Sequence, residues 1–287
     1  MNYNKKIKFL SCICLSLTML ATILLLVSFK WCFNSETGYF INSPPTVLFS
    51  IIYFLGIALP IVATFSIAKK KIIKTPNEIG LIRVPYLIIA LALALCAIIF
   101  NLTLSTSITT TTVLGVCFVA IYAILCSASN GYRNGVFKIL FAYLSVILPL
   151  SMIMYNNSNY SRHINSAENI LTTVFALSFM TYILYEAKRI HEGTHSRWHF
   201  GAMLLTVHTG ITLSVAYILA YLSKSVNEKP RFLQTVIILL VTLLVALELF
   251  RFVKVSNCKT KEDWDEIENP QNPEPNLMDV DFKQSEE

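Results

Sequence analysis

Residues 46–68 read TVLFSIIYFLGIALPIVATFSIA, a run without one charged side chain, and Lys69, Lys70 and Lys71 follow at once. As an α-helix rising 1.5 Å per residue, such a run is about 35 Å long, enough to cross a hydrocarbon core about 30 Å thick. It lacks the strict apolar–polar alternation of a membrane β-barrel strand, and hydrocarbon offers no water to unpaired backbone groups. The stretch is therefore read as a transmembrane helix.

Seven more runs of this kind flank it, at 10–29, 84–101, 112–128, 137–155, 169–187, 200–222 and 232–253, giving eight spans. Of the 287 residues, 55% are hydrophobic and 14% are charged, where a soluble domain carries about 25% charged residues. A chain this poor in charge cannot clothe itself in polar surface, which excludes a soluble globular domain. The expected fold class is all-α: a polytopic transmembrane helical bundle over 1–257, followed by an acidic, disordered tail at 258–287.

Local signals mark several helix ends. Ser43 before Pro44 suits an N-cap and first helical position, Pro85 and Pro230 fit helix starts, and Asn165 with Glu168 spells a capping box before span six. Pro60 and Pro149 fall inside spans two and five and predict kinks there.

Sidedness follows from the basic residues. With the amino terminus inside, the inner segments hold Lys5, Lys6 and Lys8, the 69–83 stretch, Arg133, Lys138, Lys188, Arg189, Arg197 and the basic residues from Arg251 onward, 18 of the 23 lysines and arginines. Lys30, Arg162, Lys224, Lys229 and Arg231 remain outside. The 18-to-5 division predicts both termini in the cytoplasm. The apolar run after Lys8 is too long for a signal-peptide core and no small-x-small site precedes Lys30 and Trp31, so span one is expected to be retained.

The net charge of +6 conceals two opposed pieces. Residues 258–287 carry ten acids against Lys259, Lys261 and Lys283, a net of −7 that leaves +13 on the remainder. With Pro270, Pro273 and Pro275 at its centre, this segment reads as a solvated cytoplasmic extension. Leu277, Met278, Val280 and Phe282 alternate with acids there, so residues 277–282 are a candidate docking motif for a cytoplasmic protein or for the chain's own basic loop 69–74. The basic remainder calls for no nucleic acid, because lysines beside spans already serve topology and anionic headgroups. The lipid bilayer is the one certain partner, and no cofactor is implied. Of seven cysteines, Cys12, Cys14, Cys96, Cys117 and Cys126 lie within spans, Cys258 lies in the tail and Cys32 alone faces outward, so no exterior disulfide can close within one chain.

Two chemistries stand out. His191, Glu192, Gly193, Thr194 and His195 spell H-E-x-x-H, in which two histidines four apart on a helix hold zinc and Glu192 activates its bound water. His199 follows four residues later, and Glu186, His208 and Glu248 are conceivable third ligands. Against this, the chain must reverse between spans six and seven, with Gly193 the natural turn and Ser196 the natural N-cap, which would split the histidine pair. The second chemistry is intramembrane: ionisable groups in hydrocarbon cost about 2.5–3.5 kcal/mol unless paired, and His208 and Glu248 both fall in the inner half, where a direct pair is predicted. Span seven also carries Thr206, Gly210, Ser214, Tyr217 and Tyr221 on one face with His208 and Thr212 nearly opposite, so it is expected to be surrounded by protein. His208, Glu248, Thr212 and Tyr217 are thus the candidate polar site. Ile41-Asn42-Ser43 and Ile164-Asn165-Ser166 open spans two and six, and Ala68-Lys69-Lys70 and Ala187-Lys188-Arg189 close them, the mark of a possible repeat of two parallel four-helix halves.

Ser35 to Phe40, the Asn165-Ser166 opening of span six and Tyr185-Glu186-Ala187-Lys188-Arg189 at its end resemble a family of uncharacterised multi-pass membrane proteins of clostridial-type (Firmicutes) bacteria without an assigned activity. The resemblance covers the eight spans loosely. It implies a bacterial plasma membrane, where the sequons at Asn101, Asn156 and Asn159 have no glycan meaning, and a turn-forming basic loop after span six without zinc chemistry. Three function classes follow: a non-catalytic sensing, scaffolding or accessory membrane protein, favoured because it asks least of the sequence; a small-solute transporter or channel; and a membrane zinc metallopeptidase using the HEGTH segment.

Overall fold

The computed structural model describes residues 3–34, 37–66, 80–103, 107–128, 135–158, 166–192, 196–226 and 229–255. Its helices are α1 (Tyr3–Trp31), α2 (Pro44–Ser66), α3 (Gly80–Thr103), α4 (Ser107–Ala128), α5 (Gly135–Leu144), α6 (Ile147–Ser158), α7 (Ala167–Glu192), α8 (Arg197–Leu222) and α9 (Lys229–Val255). A two-residue antiparallel ladder, β1 (Phe33–Asn34) against β2 (Tyr39–Phe40), links the first two. Counting α5 and α6 as one crossing, eight helices are long and apolar enough to span a membrane. The chain is an all-α helical bundle of the multi-pass type. The acidic segment 258–287, including the 277–282 motif, and the 69–74 loop lie outside the described residues.

The helix ends show which local signals operate. α2 starts at Pro44, as its sequence predicts, but the cap is made in reverse: Thr46 Oγ1 accepts from Ser43 N at 3.0 Å while the Ser43 hydroxyl turns to Cys32 Sγ. Cys32 is buried there. α7 begins at Ala167, one residue beyond the expected start; Asn165, and with it the capping box, is outside the described residues, and the Glu168 carboxylate lies 3.5 Å from Arg231 Nε. The first N–H of α7 is taken by the carbonyl of Gly38 at 3.2 Å, and Gly38 sits at φ 73°, a left-handed turn conformation natural to glycine. Pro85 is a correction: α3 starts at Gly80, so Pro85 lies inside the helix. Pro230, by contrast, occupies the second position of α9.

Span five does more than kink. Pro149 has no N–H for the Ser145 carbonyl, and its ring crowds that oxygen. The chain answers with tight i→i+3 bonds, Val146 N to Tyr143 O at 3.0 Å and Leu148 N to Ser145 O at 3.2 Å, and the helix breaks into α5 and α6. Gly115 of α4 makes room there, since a Cβ would stand 2.6 Å from the backbone N and Cα of Leu148.

α8 is the centre of the bundle, packing on α1, α2, α7 and α9. It is buried along 72% of its span, against 33% for α1, α2 and α3. Span seven is therefore enclosed by protein, as its polar pattern predicts. Val84, Leu87, Ile88, Leu91, Leu95 and Ile98 of α3 instead stay exposed at helical spacing, a face suited to lipid. Gly201 and Gly210 of α8 admit Thr64 of α2 and Thr242 of α9 to distances no side chain would allow, the small-residue packing that membrane helices use in place of a hydrophobic driving force.

Candidate functional site

Three of the intramembrane ionisable groups gather near one end of the bundle, the end that carries the α7–α8 connection. Glu186 is 1% exposed. Its carboxylate accepts a bidentate pair from Arg189 one turn on, the Nε bond measuring 2.8 Å. Tyr122 of α4 donates its hydroxyl to Glu186 Oε1 at 2.5 Å, and His199 Nε2 of α8 lies 2.9 Å from Oε2. Both oxygens are thus occupied, and helices α4, α7 and α8 are tied at one point.

Glu248 of α9 forms the second node. Tyr86 of α3 donates to its Oε1 at 2.5 Å, and Arg251 Nη1 stands 3.7 Å from the same oxygen. Arg189 and Arg251 keep partial exposure, so each reaches from the rim inward to cancel a carboxylate buried beneath it. This is how a carboxylate is kept within hydrocarbon at tolerable cost. Aromatic rings complete the surroundings: Phe175, Phe179 and Tyr182 stack along α7, and Tyr182 stacks on His199 at 5.6 Å between centroids.

A cavity of about 20 Å3 opens between α3, α4, α7, α9 and the α5–α6 break. Tyr86, Tyr122, Tyr182, Glu186, Phe179 and Ser145 share its wall with Ala142 and a set of valine, leucine and isoleucine side chains.

The sequence-predicted residues fall differently from expectation. His208 and Glu248 do not form a pair. His208 Nε2 donates to the Tyr53 carbonyl of α2 at 3.2 Å and Nδ1 meets the Thr18 hydroxyl of α1 at 3.0 Å, so neither ring nitrogen is left for Glu248. The ring fills a notch at Gly56, where a Cβ would come within 2.1 Å of it. Thr212 is wholly buried on α8. Tyr217 is buried edge-on against Phe29 at 5.7 Å. Neither lines the cavity. The hydroxyl stripe of α8 bonds helix carbonyls, Thr206 to Ala202 and Ser178, Ser214 to Gly210, and so serves packing.

α7 continues through His191, which is exposed, and ends at Glu192; Gly193, Thr194 and His195 lie outside the described residues. Ser196 is the N-cap of α8 as predicted, accepting from His199 N at 3.1 Å. His199 is buried in the bundle against Glu186. Among the described residues no group of three His, Cys, Asp or Glu side chains is placed to hold a metal.

Sequence reasoning missed Glu186 as the principal buried charge, together with the phenols of Tyr86 and Tyr122. The available signal was a phenol near the same end of spans three and four, each able to meet a glutamate near the same end of spans six and eight. At the opposite end it also missed the buried Arg231, whose Nη2 donates to Asn169 and whose Nε faces Glu168. Compared with protein-family models, curated proteins and solved structures, the chain matches none.

Proposed function

We propose that the chain is a non-catalytic protein of a bacterial plasma membrane, with both termini in the cytoplasm, acting as a sensing, scaffolding or accessory body through its basic inner rim and acidic tail. The observation that supports this reading is that Glu186, Glu248 and His208 are each engaged by neighbouring side chains or backbone within the bundle. Glu186 is held by Arg189, Tyr122 and His199, Glu248 by Tyr86 and Arg251, and His208 by Thr18 and Tyr53. Catalysis or ion coupling requires a group that turns toward a substrate, whereas these contacts fasten helices together. The groups free to engage partners are then those at the rim.

The test places a photo-crosslinking side chain at Met278 or Phe282 of the full-length protein in cells. An adduct with a cytoplasmic protein at these positions, absent when the crosslinker stands elsewhere in 258–287, supports the reading. Adducts confined to lipid or to this chain's own residues contradict a partner role for the tail. The broken span beside the cavity favours a second reading, a small-solute carrier, because discontinuous helices border the sites of many transporters. Solute uptake by vesicles containing the purified protein would decide for it.

A further inference from the structure

Arg197 differs from the other described arginines in what it meets. Arg189, Arg251 and Arg231 each face a glutamate, Glu186, Glu248 and Glu168 in turn. Arg197 faces two rings: its guanidinium carbon lies 6.0 Å from the centre of Phe65 on α2 and 5.7 Å from that of Trp198. Among the described residues no carboxylate reaches it. The two rings stand edge to face with centroids 5.3 Å apart, so the three groups form a nearly equilateral triangle and both rings lie to one side of the cation. Ring faces attract a cation but carry no net charge. A full positive charge is thus held in place, with the N–H groups on its other side uncovered by the rings.

Phe65 and Arg197 are the end residues of their spans, which sets this group where hydrocarbon gives way to headgroups. Inward from Phe65, the side chains of Ile61, Ala58 and Phe54 are exposed at helical spacing along one face of α2. From Phe54 to Phe65 the helix rises about 16 Å at 1.5 Å per residue, close to the roughly 15 Å that one leaflet contributes to the hydrocarbon core. The end of the bundle therefore offers a fixed cation at headgroup depth and an apolar track one leaflet deep. An acidic peptide would meet the cation but leave the track uncovered. A zwitterionic lipid would cover the track but bring a second cation to the first. We propose that Arg197, Phe65 and Trp198 hold one anionic phospholipid, its phosphate on the Arg197 guanidinium and an acyl chain along α2. The lipid is recognised by α2 and α8 alone, so its loss and the loss of a protein partner on the tail are separately measurable.

The experiment reads Trp198 itself. Trp31→Phe and Trp264→Phe leave it as the sole tryptophan of the full chain, and its fluorescence is quenched on contact by lipid brominated near the headgroup end of its acyl chains. The protein is reconstituted in phosphatidylcholine vesicles containing rising fractions of brominated phosphatidylglycerol or of brominated phosphatidylcholine. Phosphatidylglycerol should quench with about five-fold higher relative affinity, the preference that one basic side chain at an anionic surface supplies. Arg197→Gln should bring that ratio to about one, and quenching by brominated phosphatidylcholine reports whether Trp198 keeps its place in the variant. Lys5→Gln removes a different charge from the same end of the bundle, since α1 and α8 run side by side in one direction, and should leave the ratio unchanged. Equal quenching by the two lipids in the parent protein overturns the proposal. So does a preference that survives Arg197→Gln, or one that Lys5→Gln removes equally.

Discussion

Glu186 joins three helices through one carboxylate, and the consequence can be measured. Replacing it by Gln keeps the shape and leaves an acceptor for Tyr122, but it removes the negative charge that faces Arg189 and His199. Breaking one side of a buried ion pair costs about 3–5 kcal/mol. Glu186→Gln should therefore lower unfolding stability in detergent by roughly that amount, and a loss below about 1 kcal/mol, the range of an exposed pair, would mean that the pair is solvated. Sequence reasoning sets Glu248 and His208 inside the bundle and considers Glu186 only as a conceivable zinc ligand, for a physical reason. Glu186 stands about two turns before the end of α7 beside Lys188 and Arg189, where a charge reads as belonging to the headgroups. Its burial comes from His199 on the next helix and from Tyr122, 64 positions away. No local pattern reports such contacts. His208 misled for the converse reason: its depth was legible, but its partners on α1 and α2, up to 190 positions distant, were not.

Among the elements, what could be read depended on whether the determinant was local. Each of the eight spans is present because apolar length alone fixes it in lipid. The Pro44 start and the Ser196 cap are set within a few residues and were read correctly. Pro149 predicted a kink, yet the full break between α5 and α6 depends on Gly115, which lets the α6 backbone settle against α4. Gly115→Val would drive its side chain into the Leu148 backbone, which cannot swing aside. Overpacking of this kind typically costs about 1–3 kcal/mol. Thermal unfolding of Gly115→Val should show a loss of at least that size, and an unchanged Tm would mean that the two helices stand farther apart than described.

At the scale of the molecule, α8 runs through the middle of the bundle and α3 presents a lipid face. Cation–aromatic groups sit at both ends: Lys30 lies over Trp31 at one, and Arg197 lies over Phe65 and Trp198 at the other. Such groups suit the two interfaces of a bilayer. On the charge division we propose that the end holding Arg197, Glu186 and Glu248 faces the cytoplasm, together with both termini. That sidedness, joined to eight crossings, is the central claim, and single-cysteine labelling in a cysteine-free background tests it most directly. In intact cells a membrane-impermeant maleimide should modify Tyr39→Cys and Lys224→Cys at once, and Lys5→Cys and His191→Cys only after permeabilisation. Labelling of His191→Cys in intact cells, or Tyr39→Cys and Lys224→Cys falling on opposite sides, would contradict it.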